Sequence, residues 1–94
     1  MALTPSEIEQ RLDELPGWQL NGQQIEKRYR FSSYRAGVAF AVQVALLAEK
    51  MDHHPDLQIG YQEVRVVYST HSAGGVTERD LEAAHQVERI LQER

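Results

Sequence analysis

Three histidines stand where side chains could carry out proton-transfer chemistry. His53 and His54 are adjacent and precede Pro55, which favours an extended backbone at His54, and His71 follows later in the chain. Imidazole titrates near pH ~6.5, so it can donate or accept a proton at neutral pH. Amphipathic packing does not explain adjacent histidines. We interpret them as candidate catalytic residues, the alternative being loop residues that satisfy local polar groups.

Two carboxylates accompany these histidines. Glu49 lies four residues before His53, on the apolar side of a predicted helix and near the helix end where the dipole disfavours an anion. It could orient an imidazole or contact a ligand, or it could pair with Lys50 or a neighbouring subunit. Asp80 completes a Thr77-x-x-Asp pattern typical of a helix capping box, and a capping residue can still line a pocket.

A metal site is an alternative interpretation of the same residues. The histidines together with Glu49, Asp52, Asp56 or Asp80 would offer enough ligands for zinc. The chain has no His-x-x-x-His pair, no other established ligand spacing and no cysteine. We therefore expect neither a metal nor another cofactor.

The elements that must position these residues begin with a helix and a hairpin. Thr4, Pro5 and Glu7 predict a capped helix of about three turns that ends at Pro16-Gly17. The Asn21-Gly22 pair then predicts a tight turn between two antiparallel strands.

Helical periodicity returns from Ser33 to about Met51, and its apolar face is wide. One stripe consists of Phe40, Val44, Leu47 and Met51, and a second stripe beside it consists of Val38, Val42 and Ala45. One small sheet cannot cover so wide a face, so we expect a homo-oligomer, either a dimer or a tetramer.

The remainder predicts a second hairpin and a last helix. Leu57, Ile59 and Tyr61 alternate, as do Val64, Val66 and Tyr68, and a helix opens at Thr77 and Asp80 with His85 at the flank of its apolar stripe. The order α-β-β-α-β-β-α predicts an α+β two-layer sandwich, with a four-stranded antiparallel sheet covered by three helices on one face. Residues 1–94 should form a single domain.

Composition excludes several classes of function. The net charge of −4 without a basic run argues against nucleic acid as a partner, and no stretch approaches the ~18 apolar residues of a membrane span. The first residues lack the features of a secretory signal, so we expect a cytoplasmic protein.

The spacing of the candidate residues resembles one enzyme family. Pterin-4a-carbinolamine dehydratases have an acidic or related residue, three residues, His-His-Pro, five residues, an aromatic residue, nine residues, His, and a short gap to Asp. This pattern matches Glu49, His53-His54-Pro55, Tyr61, His71 and Asp80, and the segments EKMDHHPD and THSAGGVTERD are also similar to the family. Leu57 departs from many animal members, which have tryptophan there, so stacking on a pterin differs or depends on Tyr61.

The resemblance implies an activity and roles for these residues. The family converts 4a-hydroxytetrahydropterin, a by-product of aromatic amino acid hydroxylases, to quinonoid dihydropterin and water, in tetrahydrobiopterin recycling. His53, His54 and His71 would then be catalytic. The residues expected to bind substrate or support the histidines are Glu49, Pro55, Tyr61, Ser69, Thr70 and Asp80. Animal members also act as dimerisation cofactors of a transcription factor, so a binding module is the competing interpretation.

Overall fold

The computed structural model describes residues 1–92, and its elements follow the predicted α+β order. The helices are α1 (Pro5–Leu12), α2 (Tyr34–Met51) and α3 (Glu78–Gln92). The strands are β1 (Gln19–Asn21), β2 (Gln24–Arg30), β3 (Asp56–Ile59) and β4 (Glu63–Tyr68), and a short 3₁₀ helix spans His71–Ala73. The strands form one antiparallel sheet in the order β1-β2-β4-β3, and the three helices cover one of its faces.

Helix α1 begins as predicted but ends earlier. The Thr4 hydroxyl accepts a hydrogen bond from Glu7 N, and the Glu7 carboxylate accepts one from Thr4 N. The α-helix stops at Leu12, because the next three backbone N–H groups donate to carbonyls three residues back instead of four. This tighter turn carries Leu15 into the core, where it is buried. The predicted three turns were therefore one turn too many.

The first hairpin has a tight turn one residue later than predicted. Asn21 pairs with Gln24, so Gly22 and Gln23 form the turn, and Gly22 takes a positive φ of 64° that glycine adopts without steric cost. Ile25 and Tyr29 point from β2 into the core, as their shared parity predicted. Strand β2 then pairs with β4, so the first hairpin is joined to the second through the middle of the sheet.

Helix α2 has one buried and one exposed apolar face. Ser33 caps its first turn by accepting a hydrogen bond from Ala36 N. Phe40 and Val44 are completely buried against the sheet. On the second stripe, by contrast, Val42 is 52% exposed, and the nearby Leu46 is 65% exposed. The sheet and α3 cover one side of the helix, and Val42 and Leu46 face outward.

The two faces of the sheet differ in chemistry. Val64, Val66 and Tyr68 of β4 lie in the core beneath the helices. The opposite face carries ion pairs between neighbouring strands, in which Glu26 accepts from Arg65 at 2.7 Å and Arg28 donates to Glu63 at 2.7 Å. This face is polar, and no helix within residues 1–92 covers it.

A polar cluster ties α3 to the first hairpin. The Glu88 carboxylate accepts hydrogen bonds from the Tyr29 hydroxyl, from Lys27 Nζ at 2.9 Å and from Trp18 Nε1 at 3.2 Å. Burial alone would raise the pKa of Glu88. The hydrogen bonds from Tyr29 and Lys27 lower it by more, so the pKa of Glu88 lies below its usual value. Burial together with the neighbouring carboxylate raises the pKa of Tyr29 strongly.

No helix within residues 1–92 combines the length and apolar character needed to cross a membrane.

Three chain segments meet at one end of the sheet. They are the β1–β2 turn at residues 22–23, the segment 52–55 before β3, and the segment 69–77 after β4. The pairings Asn21 with Gln24, Ile25 with Tyr68 and Asp56 with Val67 bring these ends together. All three candidate histidines lie in these segments.

Candidate active site

A buried histidine–aspartate pair forms the centre of the site. His53 Nε2 and Asp80 Oδ1 are 2.6 Å apart, and the two residues are 8% and 0% exposed. His53 follows the end of α2, where its backbone N–H donates to Ala48 O, and Asp80 lies in the first turn of α3. The pair therefore joins two helices that cover the same face of the sheet.

The second oxygen of Asp80 caps the start of helix α3. Asp80 Oδ2 accepts from the backbone N–H of Thr77 at 2.8 Å and from the Thr70 hydroxyl at 2.7 Å. Thr77 Oγ1 in turn accepts from Arg79 N at 3.2 Å and is 2.8 Å from Thr70 Oγ1. The sequence allowed two interpretations of Asp80, a helix cap or a site residue. In the structure Oδ2 makes the capping contact and Oδ1 contacts the candidate residue His53.

These contacts determine which nitrogen of His53 is available. A carboxylate accepts hydrogen bonds, so Nε2 carries the proton that Asp80 binds. Nδ1 has no hydrogen-bond partner among residues 1–92 and keeps contact with solvent. In the neutral imidazole Nδ1 is then an acceptor. This is the arrangement expected of a general base whose tautomer is fixed by a buried carboxylate.

The ring of Tyr68 lies against His53. The two ring centroids are 5.4 Å apart, and the ring planes differ by 21°. Burial raises the pKa of Tyr68 to about 12, with a further contribution from the negative charge of Asp80. Its hydroxyl is the one buried side-chain polar atom in the described part of the chain that lacks a hydrogen-bond partner. Tyr68 restricts the orientation of the His53 ring by packing against it.

His54 is accessible, unlike the neighbouring His53, which is buried. It precedes Pro55, which favours an extended backbone at His54. His54 Nε2 is 2.6 Å from Glu49 Oε2, and the two side chains are 56% and 76% exposed. Of the alternatives for Glu49, orientation of an imidazole agrees with this contact, although Glu49 pairs with His54 and not with His53.

The three histidines line one open cavity of about 270 Å³. His71 enters it from the exposed 3₁₀ helix that follows β4. The complete lining of the cavity is Asp52, His53, His54, Ser69, Thr70, His71, Ser72 and Arg79. Two exposed imidazoles therefore share a cavity with one that is held by a buried carboxylate.

Arg79 lines this cavity but did not stand out in the sequence. Its Nη2 donates to the carbonyl oxygen of Asp52 at 2.7 Å. Asp52 ends α2 in the left-handed conformation, with φ 52°, which turns its carbonyl away from the helix direction. Its position immediately before Asp80, on the helix turn that begins at the site, was the signal that could have identified Arg79.

Several candidate residues lie outside the cavity. Pro55 is half-buried beside it, whereas Tyr61 is 77% exposed in the β3–β4 turn, at the far end of β3. Leu57 packs against the core. Across residues 1–92, no three His, Asp or Glu side chains are grouped closely enough to hold a metal ion, because the carboxylates contact the histidines in separate pairs.

Comparison with known proteins gives the same family throughout. The family model described as pterin 4 alpha carbinolamine dehydratase matches residues 1–90. A protein of Acidobacterium capsulatum with the provisional name pterin-4-alpha-carbinolamine dehydratase is 47% identical over 95% of this chain and 97% of its own length. A Brucella melitensis structure described as a transcriptional coactivator/pterin dehydratase is 39% identical over 96% of this chain and 98% of that one, with a TM-score of 0.88.

A more distant solved structure carries a different role in its description. It is a pterin dehydratase-like protein identified as a RuBisCO assembly factor in the alpha-carboxysome. It is 26% identical, covers 77% of this chain and 83% of that chain, and has a TM-score of 0.62. The fold is therefore found in proteins described both by an enzymatic and by a binding role.

Proposed function

The chain belongs to the pterin-4a-carbinolamine dehydratase family, and we propose that it dehydrates 4a-hydroxytetrahydropterin to quinonoid dihydropterin by histidine acid/base catalysis. The observation that carries this proposal is the buried His53–Asp80 pair, whose histidine lines a cavity together with His54 and His71. Such a cavity is suited to a small molecule that gains one proton and loses another.

The reaction requires two proton transfers and no net acid or base. The lone pair of N5 forms the C4a=N5 double bond as the bond between C4a and the hydroxyl oxygen breaks. A proton donated to that oxygen lets it leave as water, and N5 then gives up its own proton. General acids and bases accelerate such steps by about 10²- to 10⁴-fold each. Neither a metal nor a covalent nucleophile is needed for this chemistry.

We assign the N5 proton to His53. Asp80 holds the His53 Nε2 proton, so Nδ1 is ready to accept another, and the resulting imidazolium is stabilised by the buried carboxylate. His54 and His71 are exposed and can be reprotonated by water between turnovers, which suits a donor to the leaving hydroxyl.

The remaining site residues would act by binding and orientation. Ser69 and Thr70 line the cavity beside His71, and Thr70 also fixes the Asp80 carboxylate. Glu49 would orient His54, and Pro55 would hold its backbone extended. Tyr61 lies in the β3–β4 turn, at the end of β3 opposite its own chain's cavity, so it would contribute only from a second copy.

We further propose a homo-oligomer that acts in tetrahydrobiopterin recycling in the cytoplasm. The exposed apolar half of α2 supports assembly, because Tyr34, Val42 and Leu46 are each more than half exposed in one copy. Assembly through this helix would not cover the cavity, because the cavity and its histidines lie at the end of the sheet. The recycling role follows from the family reaction, which removes a by-product of aromatic amino acid hydroxylases.

A binding role is the second candidate function. It is favoured by the descriptions of the two structural relatives, one a coactivator and the other an assembly factor. Such a role would use the exposed α2 face or the charged sheet face and would not require the histidines. A chain that binds a partner but keeps full dehydratase activity would have both functions.

A direct assay decides between these functions. 4a-Hydroxytetrahydropterin is generated by an aromatic amino acid hydroxylase, and its loss is followed by absorbance with and without the purified chain. Dehydration at a rate proportional to enzyme concentration is expected. A rate equal to the uncatalysed rate, for a folded protein, would reject the enzymatic proposal and leave the binding role.

A further inference from the structure

A buried tyrosine that takes no part in the proposed proton transfers lies against the proposed base. Tyr68 is the last residue of β4 and is 0% exposed. Its ring centroid is 5.4 Å from that of His53, and the ring planes differ by 21°, so the two rings are stacked with an offset. The chemistry of the reaction does not require a tyrosine here, so this contact calls for a separate explanation.

The Tyr68 hydroxyl is not suited to act as an acid or a base at neutral pH. Burial and the negative charge of Asp80 raise the pKa of Tyr68 to about 12, so the hydroxyl keeps its proton. The hydroxyl is buried without a hydrogen-bond partner among residues 1–92, and Tyr68 does not line the histidine cavity. A contribution of Tyr68 to the reaction must therefore come from its ring and act through His53.

The hydrogen bond to Asp80 leaves the His53 ring partly free to tilt. It holds Nε2, which lies close to the axis of rotation about the Cβ–Cγ bond, so it prevents a flip of the ring more effectively than a tilt. A hydrogen bond remains favourable over a deviation of about 30° from linearity. Catalytic groups need to be held within about 10–20° of the productive geometry. A second contact must therefore set the tilt of the imidazole and, with it, the direction of Nδ1.

The ring of Tyr68 supplies that contact from a rigid support. Strand β4 is an inner strand of the sheet, and Tyr68 is paired there with Ile25 of β2. A flat ring packed against the imidazole allows little tilt, because interiors are close-packed and a tilt would bring atoms into overlap.

We propose that Tyr68 is a positioning residue whose ring fixes the angle at which His53 Nδ1 accepts the N5 proton. Asp80 determines which nitrogen is the acceptor, and Tyr68 determines its direction. The inference rests on the proposed function, because that function assigns the N5 proton to His53.

Tyr68→Leu removes the flat ring but keeps an apolar side chain in the core. We expect kcat to fall by about 10-fold per folded molecule, since a misplacement of ~1 Å already costs on the order of 10²-fold. KM should stay within about 2-fold, because Tyr68 does not line the cavity. Tyr68→Phe restores the ring and should bring kcat back to within about 2-fold of the wild type. Tyr68→Met, which also lacks a ring, takes the place of the leucine variant if the latter does not fold.

Phe40→Leu is the matched control for the loss of a buried ring. Phe40 is 0% exposed, and its ring packs against those of Tyr29 and Phe31. We expect this variant to lose stability, as Tyr68→Leu does, but to keep the wild-type kcat per folded molecule. An equal fall of kcat in Phe40→Leu and Tyr68→Leu would overturn the proposal. Wild-type kcat in Tyr68→Leu, or a kcat in Tyr68→Phe as low as in the leucine variant, would overturn it as well.

Nuclear magnetic relaxation of ¹³C-labelled histidines measures ring motion without any substrate. We expect the order parameter of the His53 Cε1–H bond to be high in the wild type and in Tyr68→Phe, and clearly lower in Tyr68→Leu. Dehydration by the wild type, with an unchanged order parameter and kcat in Tyr68→Leu, would reject the positioning role and leave the proposed function intact. A lower order parameter in Tyr68→Leu, for a chain that does not dehydrate the substrate, would reject the proposed function and leave Tyr68 as the residue that holds His53.

Discussion

His53 and Asp80 are 27 residues apart in the sequence, yet their side chains are joined through Nε2 and Oδ1 at 2.6 Å in a site closed to solvent on the Asp80 side. Each partner has a further contact that fixes it, since the His53 ring stacks on Tyr68 and Asp80 Oδ2 binds Thr77 N. The pair is therefore held in one geometry before any ligand arrives, and preorganised groups of this kind need no rearrangement during the reaction.

Asp80→Asn tests whether this geometry sets the tautomer of His53. The new amide must keep its oxygen toward the Thr77 N–H and Thr70 hydroxyl, which places its NH₂ group at His53 Nε2. His53 would then carry its proton on Nδ1, the nitrogen that our mechanism requires as an acceptor. We expect kcat to fall by about 10²-fold or more, with a loss of about 1–2 kcal/mol in the free energy of unfolding. A stability loss with unchanged turnover per folded molecule would make Asp80 a cap alone.

Removal of the exposed imidazoles tests the proposed catalytic cluster. His54→Ala and His71→Ala should each lower turnover by at least ~10-fold, and the double variant should approach the uncatalysed rate. Both side chains are exposed, so neither variant should change stability by more than about 0.5 kcal/mol. His85 lies on α3 away from the cavity, and His85→Ala is the control that should keep turnover within about a factor of two. Wild-type turnover in both folded single variants would contradict the mechanism.

Tyr68→Phe tests the cost of the unpartnered hydroxyl. The substitution keeps the ring that packs on His53 and removes a buried polar group that has no partner among the described residues. We expect the free energy of unfolding to stay constant or to rise by up to about 1 kcal/mol. Tyr29→Phe is the matched control, because that hydroxyl binds Glu88, and its loss should destabilise the fold by about 1 kcal/mol or more. Destabilisation of similar size in both variants would show that the Tyr68 hydroxyl has a stabilising partner.

The ion pair between Glu26 and Arg65 predicts a specific acid sensitivity. The hydrogen bond from Arg65 lowers the pKa of Glu26 to about 2 in the folded chain, against its usual value of 4.5. Because the folded pKa is depressed, this stabilisation is complete above about pH 4.5 and is lost as the pH falls toward 2.

Denaturant unfolding between pH 7 and pH 2.5 measures this effect. Glu26→Gln should be less stable than the wild type at pH 7, and the difference should shrink as the pH falls. Glu9 is exposed and has no hydrogen bond to a described residue through its side chain, so Glu9→Gln should follow the wild-type curve. A constant difference between Glu26→Gln and the wild type at all pH values would exclude the ionic contribution.

The exposed half of α2 predicts assembly between copies. We expect a dimer or tetramer at micromolar concentration in sedimentation experiments, and Leu46→Glu should shift it toward the monomer by placing a charge on the apolar face. Gln10 is exposed on α1, away from this face, and Gln10→Glu should leave the assembly unchanged. A wild-type chain that sediments only as a monomer would reject assembly through α2.

Local signals in the sequence predicted the elements and most of the candidate site. The Thr4–Glu7 capping box and the Asn21-Gly22 turn depend on neighbouring residues, so each is readable without the rest of the fold. The position of His53 and His71 at the ends of elements also predicted that they would meet, and both line one cavity.

Contacts that depend on packing between distant elements were not predictable. Nothing near Glu88 in the sequence indicates that it binds Tyr29, Lys27 and Trp18, because that contact requires α3 to lie across the first hairpin. For the same reason the sequence does not indicate the contact of Arg79 with Asp52, and the predicted length of α1 was wrong because its end at Leu12 depends on the packing of Leu15 in the core.

The double use of Asp80 affects how inactive relatives can be recognised. A descendant that gave up catalysis would still be selected to keep Asp80 and Thr70, since loss of either would weaken the start of α3 and destabilise the fold. His54 and His71 are exposed and do not stabilise the fold in this way, so their substitution would not be selected against once catalysis was lost. Among relatives with this fold, the identity of the two exposed histidines is therefore a better marker of retained dehydratase chemistry than the buried pair.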